Sequence, residues 1–131
     1  MIPDENLAGH ARYLEGLEHA ELRYQRCGSC GRAVFSPRVL CNHCGSPDLS
    51  FEVSAGLGTV YSSTAVTQRA EPSYSVCLVD LAEGFRMMST VVGIVAEDVR
   101  IGMSVSAHFE QLDEPDADGQ TARVVFRPVV P

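Results

Sequence analysis

The sequence predicts a mainly β protein in three parts: an N-terminal helix, a zinc ribbon, and a five-stranded Greek-key barrel of the OB type. Three observations carry this. Two Cys-x-x-Cys pairs, Cys27-Gly-Ser-Cys30 and Cys41-Asn-His-Cys44, stand ten residues apart. From Leu49 onward, β-branched and aromatic residues recur in short runs separated by Gly, Pro and acidic turns. Apolar residues repeat at helical spacing only near the N-terminus. The expected divisions are residues 1–20 for the helix, 21–48 for the ribbon and 49–131 for the barrel.

In the first part, Asp4 is an N-cap candidate, and Leu7, Ala11, Leu14 and Leu17 follow along one face of a helix expected to end near His19. Tyr13 and His10 flank the stripe. A stripe so close to the terminus has to rest on the barrel, on a second copy or on another protein. Leu7, Leu14 and Leu17 are therefore candidate partner-docking residues.

Glu21 to Arg26 reads as a strand entering the first cysteine pair, and Arg32 to Val39 as the return strand, broken at Ser36-Pro37. Each pair can form a tight knuckle whose thiolates converge on one ion. Four thiolates close a tetrahedral zinc site with no open position for substrate, so Cys27, Cys30, Cys41 and Cys44 point to a structural metal. Gly31 and Gly45 follow the second cysteine of each pair, where a knuckle needs backbone freedom. Iron is the alternative metal for such a set; two disulfides or four reduced core thiols are the metal-free alternatives. Phe35 is expected to cover the metal and His43 to be exposed in its knuckle. Few apolar residues precede residue 50, so metal ligation has to supply much of this segment's folding energy.

Gly45-Ser46-Pro47-Asp48 is turn chemistry that separates ribbon from barrel. Phe51 to Ser54 then leads through Gly56-Leu57-Gly58 into Thr59 to Gln68, where the glycines permit the bend a small barrel requires. Tyr74 to Leu81 and Phe85 to Val92 form a hairpin across Ala82-Glu83-Gly84. A helical turn at Glu97 to Arg100 follows, with the last strands at Met103 to Leu112 and Thr121 to Arg127. Five strands with a connection after the third fit an OB-type barrel, and a β-sandwich fragment is the competing architecture. The C-terminal 75 or so residues are expected to fold on their own.

The 131 residues carry a formal charge of −7, and all ten basic residues are arginine. Residues 22–47 hold Arg23, Arg26, Arg32 and Arg38 without one Asp or Glu. No basic leader opens the chain and no long apolar run interrupts it, which predicts a cytoplasmic protein without a membrane span. A reducing compartment also favours metal over disulfides. The common hydrolase, P-loop, dinucleotide and metalloprotease motifs are absent from the sequence. Cys77 lies in an apolar strand, where a thiol packs rather than reacts.

Several blocks beyond the cysteines resemble one family. Glu15-Gly-Leu17, Glu21-Leu-Arg-Tyr-Gln-Arg-Cys27, Phe35-Ser-Pro-Arg38, Cys41-x-x-Cys44-Gly-Ser46, Gly58-Thr-Val-Tyr61-Ser and Asp98-Val-Arg-Ile-Gly-Met103 are similar to the DUF35 family of acyl-CoA-associated proteins. The likeness runs over nearly the whole chain. It departs where Tyr13-Leu14 stands in place of a frequent tryptophan, and where Ser36 replaces a usual second proline. The resemblance implies an N-terminal helix, a rubredoxin-like zinc ribbon and an OB-fold. It also implies a non-catalytic partner of coenzyme A enzymes, chiefly thiolase-like subunits, with part of an acyl-CoA channel in some members. Arg23, Arg26, Arg32 and Arg38 are then candidates to clamp coenzyme A phosphates. The acyl and pantetheine portions call for an apolar slot, expected between ribbon and barrel.

Two other classes compete. OB barrels and zinc ribbons both serve single-stranded nucleic-acid binding, which needs a basic groove with exposed aromatics. Tyr61, Tyr74, Phe85, Phe109 and Phe126 are the candidates, but residues 49–131 hold five arginines against eleven acids, an unfavourable balance for a phosphate backbone. An electron-transfer protein with a rubredoxin-like iron site is the third reading.

Overall fold

The computed structural model describes residues 2–116 and 120–129, with the backbone alone for residues 2–8. Helix α1 (Ile2–Glu18) is followed by a ribbon of β1 (Arg23–Cys27), β2 (Ala33–Val34) and β3 (Leu49–Val53), antiparallel in the order β2-β1-β3. A second sheet contains β4 (Leu57–Val66), β5 (Tyr74–Leu81), β6 (Arg86–Ser89), β7 (Ser104–Gln111) and β8 (Ala122–Pro128), ordered β6-β5-β4-β7-β8. The helical turn after the hairpin is a short 3-10 segment, Ala96–Asp98.

The second sheet curls into the OB arrangement. β4 is shared, pairing with β5 over most of its length and with β7 on its other edge only at Leu57–Thr59, and a bulge between Val60 and Ser62 shifts its register with β5 just beyond the shared stretch. The chain beyond β6 meets β8 in parallel at Val91 and Phe126. There the Val92 N–H donates to the Phe126 carbonyl at 2.8 Å, and the Phe126 N–H to that of Thr90 at 2.9 Å. Buried Ser75 holds this seam, its hydroxyl accepting the Val91 N–H at 3.0 Å. Gly58 permits the close crossing of β4 and β5: a Cβ there would lie 2.7 Å from Val79 Cγ1 and 2.9 Å from the Asp80 carbonyl.

The strand Leu49–Val53 lies in the ribbon, where all five of its residues pair with β1. The barrel strands begin at Leu57. Between them, Glu83 of the β5–β6 turn accepts the Ser54 hydroxyl at 2.7 Å and the Ala55 N–H at 2.8 Å, fixing the linker to the barrel. Ribbon and barrel also share one apolar core. Leu22, Tyr24 and Ala33 pack in the same cluster as Val60, Val79, Phe85, Val105 and Phe126. Tyr24 and Phe35 both stack on Phe85, with centroids 4.9 and 5.1 Å apart, and Tyr13 of the helix meets Phe35 edge-on at 5.5 Å. The expected apolar slot between ribbon and barrel is therefore filled by aromatic rings. The barrel segment, expected to fold alone, is completed by ribbon side chains.

The helix begins at Ile2, so Asp4 sits inside it rather than at its N-cap. Its inward face differs from the expected leucine stripe. Leu17 is 1% exposed, Tyr13 and Leu14 are half-buried, and Ala11 is exposed. Leu17 thus packs within the chain and is unavailable to a partner, while the side chain of Leu7 lies outside the described residues. Contact with β1 sets this orientation. A Cβ on Gly16 would lie 2.8 Å from the Arg23 methylenes and 2.9 Å from the Glu21 carbonyl, so only glycine lets the helix come this close.

The helix ends in a Schellman motif, with the Glu21 N–H on the Gly16 carbonyl at 2.7 Å and the Ala20 N–H on that of Leu17 at 3.2 Å. The left-handed residue this requires is Ala20, at φ 58°. Ala20→Gly removes the Cβ strain and is expected to stabilise the protein by about 1 kcal/mol. A higher urea midpoint at unchanged slope checks it.

Candidate metal centre

Two hairpin knuckles bring the four cysteines together. In the first, the Gly31 N–H donates to the Cys27 carbonyl at 2.9 Å; in the second, the Gly45 N–H donates to that of Cys41 at 2.8 Å. Both glycines have positive φ, 76° and 80°, as expected of the position after the second cysteine. The knuckle amides also turn onto sulfur: Cys30 N–H lies 3.4 Å from Cys27 Sγ, and His43 N–H 3.3 Å from Cys41 Sγ. The loop between ribbon strands is tied in by the Gly28 N–H on the Asp48 carbonyl at 2.8 Å.

The four Sγ atoms lie within 4.8 Å of one another. Cys27 to Cys44 is 3.6 Å and Cys30 to Cys41 is 3.7 Å. A tetrahedron with zinc–sulfur bonds of about 2.3 Å has edges of about 3.8 Å, which these two edges match, so the set fits zinc. Cys27 and Cys41 are buried, while Cys30 and Cys44 face outward. The cover is not Phe35. Alternate side chains of a strand point to opposite faces, and here Val34 packs on Cys27 and Cys41 with Leu49 beside it, while Phe35 turns to the barrel. His43 is exposed and remains outside the cluster, its ring 3.3 Å from Arg32 Nη1 and 3.3 Å from the Ala33 carbonyl.

The site is prepared for a cation. Without metal, the Cys30 N–H holds Cys27 down to about 6, against desolvation that pulls the other way. Cys44 behaves oppositely: the Ser46 N–H favours its thiolate, but partial desolvation and the neighbouring sulfurs push it up to about 12. Cys27 thus gives up its proton more readily than Cys44, and zinc binding must displace the Cys44 proton. Zinc affinity is expected to rise with pH through neutrality and to fall further below pH 6, where Cys27 also takes up a proton. Calorimetric zinc titrations in buffers of different ionisation enthalpy check this by reporting at least one proton released per zinc.

The four ribbon arginines divide. Arg23 is bound by Glu21 at 2.8 Å and Glu15 at 3.1 Å. Arg26 reaches Glu52 at 3.4 Å, the Tyr24 hydroxyl at 2.9 Å and the Gly31 carbonyl at 3.1 Å. These two are committed within the chain. Arg32 meets His43, and Arg38 is exposed with its backbone clamped by Gln25. The sequence reading missed Glu52 as the counter-charge because it placed β3 in the barrel. In the ribbon register Tyr24 faces Glu52, so Arg26 and Glu52 are diagonal neighbours.

A cleft of about 480 Å³ between helix and barrel, lined by Tyr13, Leu17, Tyr74, Met87, Met88 and Val124 among others, is predominantly apolar. The aromatics that a nucleic-acid face would use are largely occupied. Phe85 and Phe126 are buried, and Tyr61 is covered by the Arg86 guanidinium 3.6 Å from its ring centroid. Arg86 is itself paired with Asp80 at 2.5 Å. Cys77 is buried, its thiol donating to Ser63 Oγ at 3.4 Å. Among the described residues, no helix is long and apolar enough to cross a membrane.

Comparison with known proteins finds a counterpart for the ribbon and one for the barrel. The model of the rubredoxin-like zinc ribbon domain of ChsH2 matches residues 14–50, and that of the ChsH2 C-terminal OB-fold domain matches residues 52–110. A probable enoyl-CoA hydratase alpha subunit of Thermomonospora curvata is 36% identical over 126 residues; the match takes in 93% of this chain but only 38% of that protein. A DUF35 domain-containing scaffold protein of Methanocaldococcus jannaschii is 32% identical over 111 residues, 79% of each chain. Among solved structures, a chain of the Ltp2-ChsH2(DUF35) aldolase superposes with a TM-score of 0.76 at 34% identity, covering 93% of this chain and 95% of that one. The ribbon is thus a zinc ribbon, and the five-stranded sheet an OB-fold.

Proposed function

The chain belongs to the DUF35 family, and on that premise we propose that it is a non-catalytic accessory subunit of an acyl-CoA enzyme, with a thiolase-like protein as its partner, working in the cytoplasm. The observation that carries this reading is the near end-to-end likeness to a chain of a two-component aldolase. The scaffold naming of the Methanocaldococcus jannaschii relative supports the accessory role, and the hydratase-subunit naming of the Thermomonospora curvata one supports only the link to an acyl-CoA enzyme. The chemistry is compatible: the zinc has four protein ligands and so offers no position to substrate.

In this role the metal fixes the ribbon, and the shared core fixes ribbon against barrel. The assembled surface, including half-buried Leu14 on α1, would meet the partner; Leu7, whose side chain lies outside the described residues, stays a docking candidate. The apolar cleft between helix and barrel would suit the acyl or pantetheine portion of the thioester, and Arg32 and Arg38 remain the ribbon's candidates for its phosphates. Co-expression with a thiolase-like chain encoded beside this gene is expected to give one co-eluting complex with higher activity than the enzyme alone. Two separate peaks with no gain in activity would sink the reading.

A further inference from the structure

A second groove, of about 350 Å³, runs between helix α1 and the ribbon and is lined by Gly9, Arg12, Gln25, Arg38, Leu49 and Phe51 among others. Its charged lining residues are both arginines, in a chain of net charge −7. Arg23 and Arg26 are neutralised by carboxylates, whereas Arg12 and Arg38 have no carboxylate within ion-pairing distance among the described residues.

The groove is built rather than incidental. Gln25 is 5% exposed, and its amide grips the Arg38 backbone from both sides, accepting the N–H at 2.7 Å and donating to the carbonyl at 3.0 Å. Arg38 therefore projects from a fixed root. On the opposite wall, Arg12 emerges from the helix with its guanidinium carbon 5.8 Å from the centroid of the Phe51 ring. Gly9 stands where the helix meets the ribbon loop, and a Cβ there would lie in ordinary contact with Pro37, 3.4 Å from its Cβ. Two arginines and a half-buried aromatic ring lining one groove suit a ligand with phosphate oxygens and a planar base.

We propose that this groove receives the phosphorylated nucleotide end of a coenzyme A thioester, with Arg12 and Arg38 on its phosphates and Phe51 beside its base. The assignment rests on the acyl-CoA reading given above, and adds Arg12, which lies outside the arginine-rich stretch 22–47. Arg12 of the helix and Arg38 of the ribbon, neither ion-paired among the described residues, become charge-assisted donors to the ligand.

The test is a titration of the zinc-loaded 131-residue chain with coenzyme A, adenosine 3′,5′-bisphosphate, pantetheine and inorganic phosphate. Coenzyme A and the bisphosphate are expected to compete for one site, which pantetheine and equimolar phosphate leave undisturbed. Arg12→Gln and Arg38→Gln should each weaken coenzyme A binding by about tenfold. Arg86→Gln removes the same charge from the barrel hairpin and should leave binding unchanged. The proposal is overturned if the wild-type chain shows no binding at millimolar coenzyme A, if both groove variants bind as wild type, or if phosphate displaces the ligand as well as the bisphosphate does. The two readings fail separately. A complex that forms while the groove variants keep wild-type affinity removes the groove and leaves the accessory role; groove-dependent binding without a complex does the reverse.

Discussion

Cys27→Ser is expected to reduce bound zinc from one ion per chain to none and to unfold the ribbon. The Cys27 sulfur is buried, accepts the Cys30 N–H, lies 3.6 Å from Cys44, and packs with Val34, Cys41 and Leu49. That small cluster and a two-residue β2 are nearly all that the metal half of the ribbon has besides zinc. Structural zinc contributes about 10–16 kcal/mol apparent to comparable peptides. A whole domain retains about 5–15 kcal/mol of net stability. Loss of the metal therefore exceeds anything the remaining contacts supply, and a serine hydroxyl, protonated at neutral pH, does not replace a thiolate. Hydrogen exchange should show the amides of residues 23–53 losing protection, with slow exchange persisting in β4, β5 and β7. The barrel should also melt at lower temperature, because Leu22, Tyr24 and Ala33 belong to its core. A variant that keeps one zinc and wild-type protection would contradict the assignment of Cys27 as a ligand.

Much of this architecture was legible in the sequence, because local chemistry specified it. The knuckles announce themselves through cysteine spacing and through Gly31 and Gly45, whose positive φ the structure bears out. Strand β5 was readable to the residue, since Tyr74 to Leu81 alternates between barrel interior and surface. What the sequence concealed was pairing between distant segments. Leu49–Val53 has strand character, but nothing local says that it pairs with β1, and the preceding Gly-Ser-Pro-Asp turn looked like a boundary. From that displacement followed the missed ion pair of Arg26 with Glu52. The facing of Val34 and Phe35 was hidden for another reason: a strand of two residues has no alternation to read. On the helix, the leucine stripe misled because Gly16 reads as a weakness in a helix. In the structure it is the contact that turns Tyr13 and Leu17 inward.

Phe85→Ala should separate two roles that cysteine replacement loses together, metal binding and the angle of the ribbon to the barrel. Phe85 is 6% exposed and lies between Tyr24 and Phe35, with interplanar angles of 23° and 21°. Through Phe35 the stack continues to Tyr13, so four rings join barrel, ribbon and helix. Truncating a buried phenylalanine costs about 3–5 kcal/mol, and the broken ring pairs place this site toward the upper end. For a chain of this size the melting temperature should fall by about 10–20 °C. Phe85 is absent from the cluster that surrounds the cysteines, so zinc content should stay at one per chain. Phe85→Leu, which keeps most of the volume but no ring face, should lose less than half as much stability. The second attachment, Glu83 to Ser54 and Ala55, survives both changes, so the ribbon stays tethered but no longer held at a fixed angle. If the accessory role depends on presenting ribbon and barrel as one rigid surface, Phe85→Ala should weaken co-elution with the enzyme partner at temperatures where the chain is still folded and zinc-loaded. Undiminished co-elution under those conditions would assign docking to one of the two units alone.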